Sequence, residues 1–146
     1  MFLDSELLFS NAQAVTATAA STNILDLGAA KDLGAGEPLD LFIQASTVPT
    51  DDSGSDLTLN VALQIDSDAA FGSATTVWSR TFTMAELVAM VPTAGGMLSY
   101  VPGVFPWGSK ERYARLYYTV ANGTLGGGTY TAGLCKGKPA NAGVTG

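Results

Sequence analysis

Between Leu57 and Asp66 the chain reads Leu57-Thr58-Leu59-Asn60-Val61-Ala62-Leu63-Gln64-Ile65-Asp66, with a large aliphatic at every second position. A period of two places all five aliphatics on one side of an extended backbone, so the segment is a half-buried β-strand. Weaker copies of the pattern recur between clusters of Gly, Pro, Asp and Ser. They predict strands near 13–19, 23–27, 39–46, 57–66, 74–83, 97–101, 113–121 and 128–135. Eight strands fit an all-β, single-domain antiparallel sandwich of jelly-roll type.

At 146 residues, the chain is long enough for one core that buries roughly two-thirds of the unfolded surface without metal or disulfide help. Gly34-Ala35-Gly36-Glu37-Pro38 and the stretch from Pro49 to Asp56 mark turns, because Gly supplies positive φ, Pro fixes φ, and Asp or Ser bonds nearby amides. One short helix is predicted over residues 83–91. Thr83 caps its start, Glu86 stands three residues on as in a capping box, and Pro92 stops the run. The organisation that follows is an N-terminal arm over 1–11, a sandwich over 12–135 and a C-terminal tail over 136–146.

Only 14% of the residues are charged against 47% hydrophobic, so much of the surface is neutral and suited to lying against other protein. The net charge is −6, with eleven acids against one base in residues 1–79 and two acids against six bases in residues 80–146. Five bases, Lys110, Arg112, Arg115, Lys136 and Lys138, gather towards the C-terminus as a candidate docking patch or as plain solvated surface. An acidic chain argues against a nucleic-acid partner, which demands a strongly basic surface. The N-terminus lacks a basic region ahead of its apolar residues, and no apolar run reaches eighteen residues, which argues against a signal peptide and a membrane span.

The chain contains no histidine and one cysteine, Cys135. Ser-His-Asp and Cys-His catalysis and His-ligated metals therefore have no base or ligand, and a thiolate cluster has too few sulfurs. No intrachain disulfide can form, and Cys135 is expected to pack inside a strand. The stretch Gly123 to Thr129 superficially resembles a phosphate-cradling loop, but it lacks the Lys-Ser/Thr ending and a following helix, and reads as a strand connection. Asp51, Asp52, Asp56, Asp66 and Asp68 miss the calcium-loop spacing and read as turn-forming acids. Thirteen carboxylates leave a glycosidase-like acid/base pair conceivable, though nothing nominates a pair. No catalytic residue, cofactor or metal site is assigned, and the expectation is a non-enzymatic protein.

Two segments read as interface. The loop Val101-Pro102-Gly103-Val104-Phe105-Pro106-Trp107-Gly108 holds Phe105 and Trp107 between Pro102, Gly103, Pro106 and Gly108, with the prolines stiffening a display of binding anchors, unless Trp107 folds back to plug the core. The arm carries Phe2, Leu3, Leu7, Leu8 and Phe9, too apolar to hang in water, so it docks on its own core, a sister subunit or a partner. In strand 113–121, Tyr118 shares parity with Leu116 and Val120 and belongs to the core. Tyr113 and Tyr117 share the opposite face with Arg115, and Phe105, Trp107, Tyr113, Tyr117 and Tyr118 are the aromatics available to line a sugar platform.

The opening Met1-Phe2-Leu3-Asp4-Ser5-Glu6-Leu7-Leu8-Phe9-Ser10-Asn11-Ala12-Gln13-Ala14-Val15-Thr16, followed by Ser21-Thr22-Asn23-Ile24-Leu25-Asp26-Leu27-Gly28, resembles the capsid cement, or head decoration, proteins of tailed bacteriophages. Gly36-Glu37-Pro38-Leu39, the strand 57–66 and Tyr117-Tyr118-Thr119-Val120 extend the resemblance along the chain. It implies a jelly-roll homo-oligomer, a dimer ahead of a trimer, made in the bacterial cytoplasm and bound to the exterior of the virion's major capsid protein shell. The candidate contacts are then Phe2, Leu3, Leu7, Leu8, Phe9, Phe105, Trp107, Arg112, Arg115, Lys136 and Lys138. A carbohydrate-binding jelly roll on a phage or cell surface is the alternative.

Overall fold

The computed structural model describes residues 5–29, 39–51, 56–91, 99–101 (backbone alone) and 111–135. After a 3-10 turn at Ser5–Leu7, the strands are β1 (Leu8–Ala14), β2 (Ala19–Ala20), β3 (Leu25–Asp26), β4 (Asp40–Ala45), β5 (Pro49–Asp51), β6 (Thr58–Asp66) and β7 (Thr75–Thr83). The helix α1 (Met84–Ala89) leads to β8 (Ser99–Val101), β9 (Tyr113–Ala121), β10 (Leu125–Gly127) and β11 (Thr129–Cys135). One sheet has the order β1-β11-β4-β8. The other runs β2-β9-β6-β7, with β3 also paired to β9, and β5 and β10 form a separate ribbon.

When β2 and β3 count as one interrupted strand and the ribbon is set aside, eight strands remain, in the orders 1-8-3-6 and 2-7-4-5. With every pairing antiparallel, that is the two-sheet jelly roll expected from the strand count. Its core lies between the sheets. Leu57, Leu59, Val61, Leu63 and Ile65 are all buried in one cluster with Leu41 and Ile43 of β4, Tyr130, Ala132 and Leu134 of β11, and Ala114, Leu116 and Tyr118 of β9. Large-to-small changes at such positions cost about 2–5 kcal/mol each.

The helix starts where its capping box predicts. The Thr83 hydroxyl accepts the Glu86 N–H at 3.4 Å, and the Glu86 carboxylate accepts the Thr83 N–H at 2.9 Å. That N–H, ahead of the Arg80 guanidinium, holds the Glu86 carboxyl below its usual pKa. Leu87 turns into the core and Met90 caps the end, one residue before buried Val91. Pro92 lies outside the described residues.

Three differences from expectation share one cause, local irregularity that alternation does not register. The first strand occupies Leu8–Ala14 rather than 13–19. Its pairing with β11 shifts register twice and Ala12 takes φ 49°, so neighbours Phe9 and Ser10 are both buried. Residues 8–11 of the apolar arm are thus the start of the sandwich. The strand expected at 23–27 shrinks to Leu25–Asp26. The ribbon strands β5 and β10, read as loop and connection, pair Leu125 with Asp51 and Gly127 with Pro49. Gly127 at φ +61° and Gly128 at φ +82° turn the chain from β10 into β11. A Cβ on Gly128 would stand 3.1 Å from the Pro49 Cβ and 3.2 Å from the Tyr130 hydroxyl.

Candidate interaction surface

The two sheets present unlike outer faces. In the first, Phe42, Gly133 and Cys135 alternate with the inward Leu41, Ile43, Ala132 and Leu134, and so point away from the core. They are nonetheless buried, Phe42 to 2% exposure. At Gly133 the cover is the chain's own N-terminal segment, since an added Cβ would lie 2.7 Å from the Leu7 carbonyl oxygen and 3.0 Å from the Leu8 Cα. The Cys135 thiol is free and buried as expected, and burial, with Asp40 beside it, raises its pKa.

The second sheet leaves its outer face open. Across β9 and β6, Tyr113 stands opposite Asp66, Arg115 opposite Gln64, Tyr117 opposite Ala62 and Thr119 opposite Asn60. Tyr113, Arg115 and Tyr117 are half-buried and Thr119 is exposed, while Ala114, Leu116 and Tyr118 between them are buried. Arg115 Nε donates to Gln64 Oε1 at 2.9 Å. Its guanidinium carbon lies 4.2 Å from the Phe71 ring centre and 5.2 Å from that of Tyr117, within the range of cation–π attraction.

Phe71 reaches this face because Asp66 builds the loop after β6. The Asp66 carboxylate, 4% exposed at the residue level, accepts the N–H of Asp68 at 3.0 Å and of Ser73 at 2.9 Å. These bonds, Asp68 first, hold its carboxyl below the usual range. Asp68 in turn accepts the Ala70 N–H at its side chain and the Phe71 N–H at its carbonyl, both at 3.0 Å. Phe71 follows at φ 54°. These two acids are turn formers, as their spacing suggested; Asp51 and Asp56 lie apart in β5 and just before β6, and Asp52 lies outside the described residues. Among the described residues no group of three or more His, Cys, Asp or Glu is placed to hold a metal ion.

Arg112 on the same margin is differently employed. Its Nε and Nη2 donate to the two carboxylate oxygens of Asp26 at 2.7 and 2.8 Å, and its guanidinium sits 4.9 Å from the Tyr113 ring centre. The pair lowers the Asp26 pKa and raises that of Arg112, the side-chain hydrogen bond leading in both.

The sheet edges are blunted. The nine-residue β7 carries a register shift opposite Leu63/Gln64, and its Arg80 shares the inward parity of Phe82, lying 4.7 Å from that ring centre and 3.0 Å from Glu86. A bulge and a charged side chain on the edge strand both oppose strand addition. The β1 edge is covered where the Asn23 N–H donates to the Phe9 carbonyl at 2.9 Å, and the same strap donates from Ser21 N to Leu116 O at 2.8 Å. On the far edge β2 and β3 are two residues each. Three of the four sheet edges are thus ill suited to strand addition.

Of the residues singled out in the sequence, Arg112 lies over Tyr113 and Arg115 over Phe71 and Tyr117, and Leu7 and Leu8 lie half-buried beside Gly133 of β11. Phe9 is corrected to a core residue, 1% exposed, because the irregular β1 turns it between the sheets. Phe2, Leu3, Phe105, Trp107, Lys136 and Lys138 lie outside the described residues. Sequence reading missed Phe71, Gln64 and Asp26. The available signal for Phe71 was an aromatic placed directly before Gly in an Asp-rich turn, where nothing in the alternation calls for a large ring.

A family model, Bbp16, matches residues 9–134, from the second residue of β1 to the penultimate residue of β11. No curated protein matches the chain.

Proposed function

The chain belongs to the Bbp16 family, a name that points to a bacteriophage protein, and from that premise we propose that it is a non-enzymatic capsid cement protein. In this reading it binds the exterior of the major capsid shell as a homo-oligomer, a dimer ahead of a trimer, and stabilises the mature head. The observation that carries the reading is the family match across the whole sandwich. The resemblance of the first thirty residues to head decoration proteins supports it, and so does a rigid jelly roll with one open, arginine-bearing sheet face. A cement protein requires contact surface rather than chemistry. Binding the expanded shell and not its precursor stabilises that state by mass action, and an oligomer that touches two shell subunits gains through effective concentration.

The test is to mix the purified protein with expanded empty shells lacking it, sediment them, and record bound stoichiometry and the temperature of shell rupture. Saturable binding with a raised rupture temperature is expected; protein that stays in the supernatant across a range of salt sinks the capsid reading for that shell. A second reading, carbohydrate binding, is favoured by Tyr113, Tyr117 and Phe71 on the open face. It predicts glycan-array signals lost in Tyr113→Ala.

A further inference from the structure

We propose that Arg115, steadied by Phe71, Tyr117 and Gln64, is the point at which the open sheet face receives a carboxylate side chain of the shell protein; this deepens the capsid reading and rests on it. Among the described residues the two ion pairs are Arg80–Glu86 and Arg112–Asp26. Arg115 is the described cation that no described carboxylate neutralises. A guanidinium offers five N–H donors. Gln64 takes the one on Nε, and the two terminal NH2 groups have no hydrogen-bond partner among the described residues.

Asp26 and Asp66 both stand opposite Tyr113 on this face. Neither serves Arg115: Asp26 is held by Arg112, and Asp66 is consumed by the backbone of the loop that delivers Phe71. The arrangement leaves the planar fork without a carboxylate partner among the described residues. The two rings and Gln64 limit its motion, so little rotamer freedom remains to be lost on docking. A planar fork matches a carboxylate bidentately, which an ammonium cannot do. The chain is acidic overall, so an acidic partner is repelled except where such a point receives it. Arg115 therefore sets the register of docking as well as its strength.

The experiment measures the dissociation constant of the full chain for expanded empty shells lacking it, for the wild type, Arg115→Gln, Arg115→Lys and Arg80→Gln, with thermal unfolding of each free variant as the folding control. Expected is a loss of roughly 10-fold or more for Arg115→Gln, an intermediate loss for Arg115→Lys because a point charge replaces the fork, and a change under about 3-fold for Arg80→Gln, whose charge is already matched by Glu86. If Arg115→Gln unfolds, the decision passes to Arg115→Lys, which keeps the charge. Wild-type binding with both Arg115 variants unchanged, or with Arg80→Gln as damaging as Arg115→Gln, overturns the proposal and leaves the capsid reading standing. A wild type that does not bind at all overturns both. Wild-type binding to a glycan array abolished by Tyr117→Ala reassigns the face to sugar and likewise overturns it.

Discussion

The two sheets of this jelly roll pack on one core, yet the burial of their strands differs in kind. β4 and β11 are buried along nearly their whole length on both sides, whereas β9 alternates from Tyr113 to Tyr118, buried towards the core and half-exposed outward. Strands covered on both faces lose the period-two signal, and strands with one wet face keep it. The contrast teaches where function has room. The outer side of the first sheet is spent on cover, by Leu7 and Leu8 at Gly133, while the outer side of the second presents Arg115 and its rings.

The sharpest way to break that contrast is to truncate one outward residue on each sheet and compare urea unfolding. Phe42→Ala on the covered face is expected to cost about 3–5 kcal/mol, as for a ring removed from a core. Thr119→Ala on the open face should fall within about 0.5 kcal/mol of wild type, as surface substitutions do. Similar small costs at both positions would show that Phe42 is not packed as its burial states, and the distinction between the sheets would collapse.

A smaller effect addresses what does the covering. Gly133→Ala places a methyl 2.7 Å from a backbone oxygen, which no side-chain rotation relieves. An overpacking cost of about 1–3 kcal/mol is expected, with faster proteolysis within the first ten residues as the start of β1 lifts away. A variant that is as stable and as protease-resistant as wild type would mean that the segment yields freely.

The same contrast explains what was legible in the sequence. β6, β7 and β9 announce themselves, because each is long and β6 and β9 carry aliphatic or aromatic residues at every second position. The capping box fixes α1, because Thr83 and Glu86 complete it without help from distant residues. β5 and β10 are three residues each and exist through pairing with one another across more than seventy residues of chain, so no local pattern carries them. The bulged β1 hides because Phe9 and Ser10 are both buried. At the open face, parity alone places Tyr113, Arg115 and Tyr117 together, but Phe71 arrives by way of a loop whose shape depends on how Asp66 distributes its hydrogen bonds. The ion pair of Arg112 with Asp26 joins residues from opposite ends of the chain and is equally invisible in one dimension.

The smallest effect lies between the sheets, where one tyrosine from each meets the other. Tyr118 of the open sheet and Tyr130 of the covered sheet have ring centres 6.4 Å apart. Tyr118 shares a 2.7 Å hydrogen bond with Ser10 of β1, so it ties the two sheets together. The Tyr130 hydroxyl is buried without a hydrogen-bond partner. Tyr118→Phe should therefore cost about 1 kcal/mol, and Tyr130→Phe about zero or slightly less, because it removes a polar group that gains nothing from its site. Alkali offers an independent check. Burial pushes the Tyr118 pKa up to about 12 and raises that of Tyr130 as well, burial again leading. A tyrosine whose folded pKa exceeds its unfolded value of about 10 contributes its full stability below pH 10 and loses it as the pH rises towards the folded pKa. Stability should accordingly fall from about pH 10 upward. The fall should be shallower in Tyr130→Phe, which has one fewer buried hydroxyl to ionise on unfolding. A wild type and a Tyr130→Phe variant with the same slope would show that the Tyr130 hydroxyl ionises as freely in the fold as out of it, and that the covered sheet is wet at this point.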